Sequence, residues 1–298
     1  MVPADGFLNL LKPPGMTSHD AVAWLRRRVG TAVGHAGTLD RAAAGVLVLC
    51  VGRARRFSRF AMEGDKAYIG EITFGVTTDT LDAEGRVLSH GDASALAEAQ
   101  VARALATFEG EIEQVAPAYS AVHADGARHY ELARQGRTPP RRTRKVRIMS
   151  ARLLDFAPGR HARARIAVEC TKGTYIRALA ADIGAAVGCG AHLSFLVRTR
   201  AGDFEIADSA TLEQTQDAIE ERRLGELLRP LDAPLGALPA VTLARAQAER
   251  ARCGGEVAAP SDCGGTAELV RIYDPAGAFI GLAAAQGAQL RPRIVVAE

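Results

Sequence analysis

The sequence lacks the features that mark most secreted, membrane-bound and nucleotide-powered proteins. Its N-terminus has no basic stretch before an apolar core, and carries Asp5 and three prolines within 14 residues, so it does not read as a secretory signal. The longest largely apolar run, residues 42–52, is bounded by Arg41 and Arg53 and falls far short of the ~20 residues that span a bilayer. Five cysteines, at 50, 170, 189, 253 and 263, show no CxxC pairing, which fits a reduced compartment, so a cytoplasmic protein without a membrane partner is expected. Cys189-x-x-His192 and the Cys253/Cys263 pair do not complete a four-ligand set, so no metal is expected. A Walker A loop, a GxGxxG fingerprint and an HExxH helix are all missing, as are internal repeats. Lysine is scarce as well, with four against 33 arginines. A GC-rich genome is one reading of that bias, and guanidinium forks that suit phosphate are the other; composition alone does not separate them.

What is present is a chain of 298 residues, 48% hydrophobic and 24% charged, long enough to bury a core without disulfides or metals. Its formal net charge of +3 argues at first against a polyanion partner. The distribution argues otherwise. Residues 21–60 carry +7, with Asp40 their only acid; residues 128–147 carry another +7; the other 238 residues carry −11. Two runs of one sign on an opposite background read as a surface for a polyanion, or as two solvated faces.

Ser18 is the expected cap of a helix carrying Val22, Leu25 and Val29, stopped by Gly30. A glycine-punctuated loop, Gly34 to Asp40, leads into the apolar strand Val46–Val51. Lys66–Gly75 alternates as a strand with Tyr68, Ile72 and Phe74 on one face. Gln100–Phe108 reads as the end of an amphipathic helix, and residues 115–145 as an insertion. Arg165–Cys170 and Leu193–Arg200 read as strands around a helix capped by Thr174 and ended at Gly188. Pro230, Pro234, Gly236 and Pro239 mark a boundary, after which Leu269–Tyr273 and Ala278–Leu282 form a hairpin in a small β-rich domain. Asp40 is the one carboxylate between Asp20 and Glu63, set among eight arginines. An ionised carboxylate there serves as a nucleophile or base, or simply as an Asx turn or a partner for Arg41.

Gly34-His35-Ala36-Gly37-Thr38-Leu39-Asp40 with Ala43-x-Gly45-Val46-Leu47 resembles the catalytic motif of the TruB family of tRNA pseudouridine synthases. Lys12-Pro13-Pro14-Gly15 is similar to its lysine–proline motif, and Lys66-Ala67-Tyr68 to its tyrosine strand. Tyr119-Ser120-Ala121 and Tyr130-Glu131-x-Ala133-Arg134-x-Gly136 resemble its RNA-gripping thumb. Lys172 to Arg177 and Gly188 to Leu193 complete the likeness, which covers residues 7–200; the family's proline after the aspartate is Arg41 here.

The resemblance implies an α+β pseudouridine synthase fold: a mixed, largely antiparallel central sheet flanked by helices. Residues 1–231 would be the catalytic domain, with a thumb near 115–147, and 238–298 a PUA-like RNA-binding domain. It implies isomerisation of uridine 55 in the T loop of tRNA by base flipping, as a monomer, with no cofactor and no guide RNA. By the same resemblance Asp40 is catalytic, whether it attacks C1′, attacks C6 or acts as base. His35, Tyr68, Tyr175, Arg177, Leu196 and Lys12 would meet or brace the substrate. Arg53, Arg55, Arg56, Arg59, Arg141, Arg142, Arg144 and Lys145 would meet RNA phosphates, the first four flanking the catalytic loop. The alternative is an RNA-folding protein that keeps the fold without catalysis.

Overall fold

A computed structural model describes residues 5–117, 143–259 and 268–296, with the backbone alone at 123–124 and 127–128. Apart from those four backbone positions, the expected thumb residues from Tyr119 to Arg142, and Cys263, lie outside the described residues. The first strand, β1 (Gly6–Lys12), is buried almost throughout. A Pro-Pro-Gly turn leads into α1 (Ser18–Val29). Thr17, rather than Ser18, caps this helix: its hydroxyl accepts the Asp20 N–H, and the Asp20 carboxylate accepts the Thr17 N–H. Gly30 ends it with left-handed backbone, φ 66°.

The chain continues through β2 (Val33–His35), β3 (Ala44–Val51), α2 (Ser58–Glu63), β4 (Lys66–Phe74) and α3 (Glu98–Ala106). Next come β5 (Gly110–Val115), β6 (Thr143–Ala157), β7 (Arg163–Cys170), α4 (Ile176–Ala186), β8 (Ala191–Ala201), α5 (Leu212–Glu220) and β9 (Leu228–Arg229). The expected Thr174 cap of α4 is absent; Thr174 Oγ1 instead donates to Thr171 C=O, and Tyr175 holds the cap position. The strands pair in the order β9-β1-β3-β8-β4-β7-β6-β5, with β2 beside β3. Their ladders are antiparallel except β3 with β8, which run parallel where Ala44–Gly45 meets Val197–Arg198.

Strand alternation divides the core between two faces. Leu8, Leu10, Leu47 and Leu49 point to the side covered by Leu25 of α1, Leu105 of α3 and Leu179 of α4. Phe7, Val46, Val48 and Cys50 point to the other side, where Phe57, Phe204 and Leu282 close over them. Leu282 comes from the C-terminal β-rich domain, built from β10 (Ala240–Thr242), α6 (Arg245–Arg252), β11 (Val257–Ala258), β12 (Leu269–Tyr273), β13 (Phe279–Gln286) and β14 (Gln289–Val295). Its sheet runs β10-β12-β13-β14-β11 around Val241, Ile272, Ile280 and Leu290. The expected hairpin is β12–β13, its turn held by Asp274 Oδ1 accepting the N–H groups of Ala276 and Ala278. No helix among the described residues is long and apolar enough to cross a membrane.

Candidate active site

Residues 36–43 connect β2 to β3 and end near the parallel seam of the sheet. Buried polar groups hold this loop from beneath. Ser18, freed from capping, accepts the Leu39 N–H at 2.8 Å and donates to the Leu39 C=O at 2.9 Å. Arg198, 2% exposed on β8, donates Nε to Val46 C=O at 2.8 Å, Nη1 to Thr38 C=O at 3.2 Å and Nη2 to Gly37 C=O at 3.1 Å. The backbones meet so closely here that a Cβ on Gly45, φ 108°, would sit 2.2 Å from the Arg198 carbonyl oxygen. Arg41, standing where the family's proline would, is clasped by Gly15: its C=O accepts the Gly15 N–H at 2.8 Å and its Nε donates to Gly15 C=O at 3.1 Å. Ser18→Ala strands both polar groups of Leu39 away from a partner, at a cost of about 1–3 kcal/mol. The expected result is a lower unfolding temperature with a parallel fall in turnover, checked by calorimetry and steady-state rates.

Lys12 lies fully buried behind the loop, its Nζ donating to the carbonyls of Pro13, Met16 and Arg41. Burial lowers its pKa from 10.5 to about 8, against the upward pull of Asp40. The unfolded chain then binds more protons than the folded one from about pH 8 to 10.5, so this lysine's contribution to stability improves as pH rises through that window. Lys12→Met is expected to flatten the slope of unfolding free energy against pH over that range, measured by urea titration.

Asp40 stands at the loop's end, about half exposed. Arg177, near the start of α4 and 7% exposed, donates Nε to Asp40 Oδ2 at 2.9 Å. Its Nη1 donates to Thr80 C=O at 2.9 Å and lies 3.3 Å from Asp82 Oδ2. The guanidinium is therefore locked by one neighbour set while it aims the Asp40 carboxylate into an open cleft of about 730 Å³. Tyr68, Tyr175 and Leu196 give this cleft flat or apolar walls. Lys66, Arg144, Lys145 and Lys172 supply positive charge around it. Burial raises the Tyr68 phenol pKa, opposed by the Arg198 guanidinium, so the ring stays neutral. Buried Gln114 exchanges two hydrogen bonds with the Tyr175 backbone, at 3.0 and 3.2 Å, while Arg144 lies 5.0 Å from the Tyr175 ring centre. Lys66 is also lowered to about 8 by burial, with its Nζ donating to the carbonyls of Met62 and Gly64.

Asp40, Tyr68, Arg144, Lys145, Tyr175, Arg177 and Leu196 thus meet in one cleft, with Lys12 behind it. The four arginines expected to flank the catalytic loop do not reach this cleft. They follow the C-terminal end of β3, whereas Asp40 precedes its N-terminal end, and eight strand residues span about 25 Å. Arg53 is paired with Asp5 at 2.5 Å, Arg55 packs against Gly34, and Arg56 donates to Val295 C=O. Arg56 and Arg59 line a second cleft of about 710 Å³ with Arg293 of the C-terminal domain. His35 pairs with Leu49 in the β2–β3 ladder and does not line the catalytic cleft, because β2 sits beside the far half of β3. Arg141 and Arg142 lie outside the described residues.

Sequence reasoning missed Ser18 as a loop anchor, Gln114, Asp82 and Arg198, whose partners are remote in sequence. Lysine scarcity was the unused signal. All four lysines of the chain, at 12, 66, 145 and 172, stand in or directly behind this cleft.

A carboxylate aimed between aromatic and apolar walls, within a cationic rim, suits a flat neutral heterocycle carried on an anionic backbone. Family comparisons agree with this chemistry. Residues 26–176 match the N-terminal domain of the TruB family pseudouridylate synthases. Residues 177–236 match a tRNA pseudouridylate synthase B C-terminal domain, and 239–296 the C-terminal domain of pseudouridine synthase II TruB. The chain is 53% identical to tRNA pseudouridine synthase B of Symbiobacterium thermophilum over 83% of this chain and 81% of that one. It is 43% identical to that of an Azoarcus species over 98% and 95% of the two chains, and 42% identical to that of Gloeobacter violaceus over 98% and 99%. Among solved structures, a chain in a Cbf5–Nop10–Gar1 complex superposes with a TM-score of 0.74 at 26% identity, covering 98% of this chain and 85% of that chain. An H/ACA ribonucleoprotein bound to a substrate RNA containing 2′-deoxyuridine gives 0.73 at 25%, covering 97% and 84%. Fold and family matches together are those of a pseudouridine synthase, an isomerase. Within that class, the chain belongs to the TruB family.

Proposed function

We propose that this protein converts uridine 55 in the T loop of tRNA to pseudouridine, with Asp40 as the essential carboxylate. The observation that carries the reading is the Arg177–Asp40 contact of 2.9 Å facing Tyr68 and Leu196 in a cationic cleft, in a chain of this family. The target nucleotide leaves its stack, which costs a few kcal/mol, and uracil enters the cleft. Its N1–C1′ bond breaks, the base turns between Tyr68 and Leu196, and C5 bonds to C1′. C5 gives up its proton, N1 gains one, and no atom is lost overall. Tyr175 lines the base pocket, Arg177 keeps Asp40 ionised and aimed, and Lys12 braces the loop. His35 would support the flipped-out state from the T-loop side. This chemistry calls for no cofactor.

The reading includes action in the cytoplasm by a monomer without a guide RNA. Support for action without a guide RNA is near full-length alignment with relatives named tRNA pseudouridine synthase B, whereas the solved neighbours at 25–26% identity sit in multi-component complexes. Residues 1–231 would be the catalytic unit and 238–298 an accessory PUA-like RNA-binding unit. Arg144 and Lys145 would meet backbone phosphates at the cleft. Arg53, Arg55, Arg56 and Arg59 would meet phosphates away from it, at the C-terminal side. Arg141 and Arg142 would meet phosphates as part of the thumb. Such binding weakens linearly in log–log fashion with salt, by about 0.9 per duplex phosphate neutralised. A steep decline in stem-loop affinity between roughly 50 and 200 mM salt is expected by fluorescence titration, and a flat curve refutes the phosphate contacts. The direct test incubates the pure protein with a T-arm stem-loop transcript and maps pseudouridine. Product at the position equivalent to 55 supports the reading; product elsewhere or none overturns it.

A further inference from the structure

We propose that Phe195 forms a second base subsite, a stacking platform for a nucleobase flanking the isomerised uridine; this rests on the RNA substrate proposed above. Phe195 is 48% exposed, whereas every other aromatic residue among the described residues is buried or half-buried. A single exposed apolar side chain is ordinary, and Leu88 and Leu154 are as exposed as this one; what points to a ligand is a flat ring beside the reacting carboxylate.

Its location narrows that ligand. Phe195 borders a shallow depression with Asp40, Asp82, Arg177 and Leu196, floored by the small side chains of Ala42, Ala43 and Ala83. Asp40, Arg177 and Leu196 also line the catalytic cleft, so the two hollows adjoin across the reacting carboxylate. Whatever lies on Phe195 is therefore next to the nucleotide in the cleft. The depression holds only about 30 Å³, too little to enclose a base. The geometry suits a ring laid face-on rather than inserted, and every base has a π-face for such a contact.

A local irregularity puts the ring there. In a regular strand Phe195 would share the face of Leu193, which is buried. The β8–β4 ladder slips between them: Leu193 pairs with Ile72, Phe195 with Glu71, and Ser194 is the extra residue. Ser194 Oγ donates to the Glu71 backbone and carboxylate oxygens, both at 3.0 Å, which pins the bulge. A bulge re-aims a side chain beside an active site at little cost to the sheet. Here it turns Phe195 outward and leaves Leu196 on the cleft wall.

The test uses stem-loop substrates that are intact or abasic at the 5′ or the 3′ neighbour of the target uridine. Affinity and single-turnover rate are measured for wild type, Phe195→Ala, Phe195→Leu and Phe195→Tyr. Phe195→Ala should weaken binding of the intact substrate about tenfold, the loss of one base–aromatic stack, with the bound-state rate within about twofold and the unfolding temperature unchanged. Phe195→Tyr should restore affinity, and Phe195→Leu should not. One abasic neighbour should cost wild type the same factor and cost Phe195→Ala nothing more. Unchanged affinity in Phe195→Ala, full rescue by Leu, or abasic and alanine losses that multiply at both flanks would overturn the platform. Because affinity is read independently of product, a wild type that binds through Phe195 yet forms no pseudouridine refutes the catalytic reading and leaves the platform standing.

Discussion

Asp40→Asn should abolish pseudouridine formation while leaving the fold and RNA affinity intact. The replacement keeps the size of the side chain and an oxygen that can still accept from Arg177 Nε, so the 2.9 Å contact has a geometric substitute. What disappears is the negative charge and nucleophilicity. Asp40 is about half exposed, so losing its ion pair costs little stability after screening by water. Affinity should stay within about threefold or tighten slightly, since one carboxylate is removed from a cationic cleft that binds a polyanion. The rate should fall by roughly 10,000-fold or more, the scale seen when a lone reacting group is removed. Pseudouridine mapping on the stem-loop, with a binding titration alongside, reads both quantities. Product at more than about one part in a thousand of the wild-type rate would take Asp40 out of the chemistry.

Arg177→Lys should be nearly as damaging, although it preserves the charge. Asp40 on Nε, and Thr80 C=O and Asp82 on Nη1, converge on this guanidinium. A single ammonium cannot span them, because it lacks the rigid fork. If it stays with Asp82 and Thr80, Asp40 swings free in the open cleft. If it follows Asp40, the largely buried Asp82 carboxylate loses its cationic partner and keeps only the Thr80 hydroxyl and the Glu84 N–H. Turnover should drop about 100- to 1,000-fold with binding nearly unchanged, the pattern of lost orientation rather than lost affinity. A melting temperature lowered by a few degrees should accompany it. Asp82→Asn supplies the control: it should slow the reaction less, because Asp40 keeps its contact. Wild-type turnover in Arg177→Lys would reduce this arginine to a structural ion pair.

How much of this was legible before the fold was known follows the range of each interaction. The strands around Tyr68 and Leu196 and the helix that starts beside Arg177 appear where period and punctuation place them, because side-chain alternation is a local property of the backbone. The roles of Asp40 and its companions came from motif resemblance, and the fold brings seven of those residues to one cleft. The cap of α1 was displaced by one residue. Thr17 and Ser18 are equal candidates by local chemistry, and only the distant Leu39 backbone recruits Ser18 inward. The Arg53–Arg59 group was placed beside the catalytic loop on proximity in sequence, but an extended strand carries it to the opposite end of the sheet.

By itself, then, the sequence determined the elements, the motif-bearing loop and the separation of charge into two basic segments, all consequences of short-range geometry and composition. Tertiary structure alone decided which charges act together. Arg198 reaches Gly37 and Thr38 across some 160 positions, Arg177 joins Asp40 to Asp82, and Gln114 clasps Tyr175. A buried polar group must find partners wherever the fold brings them, and no periodicity along the chain records that meeting.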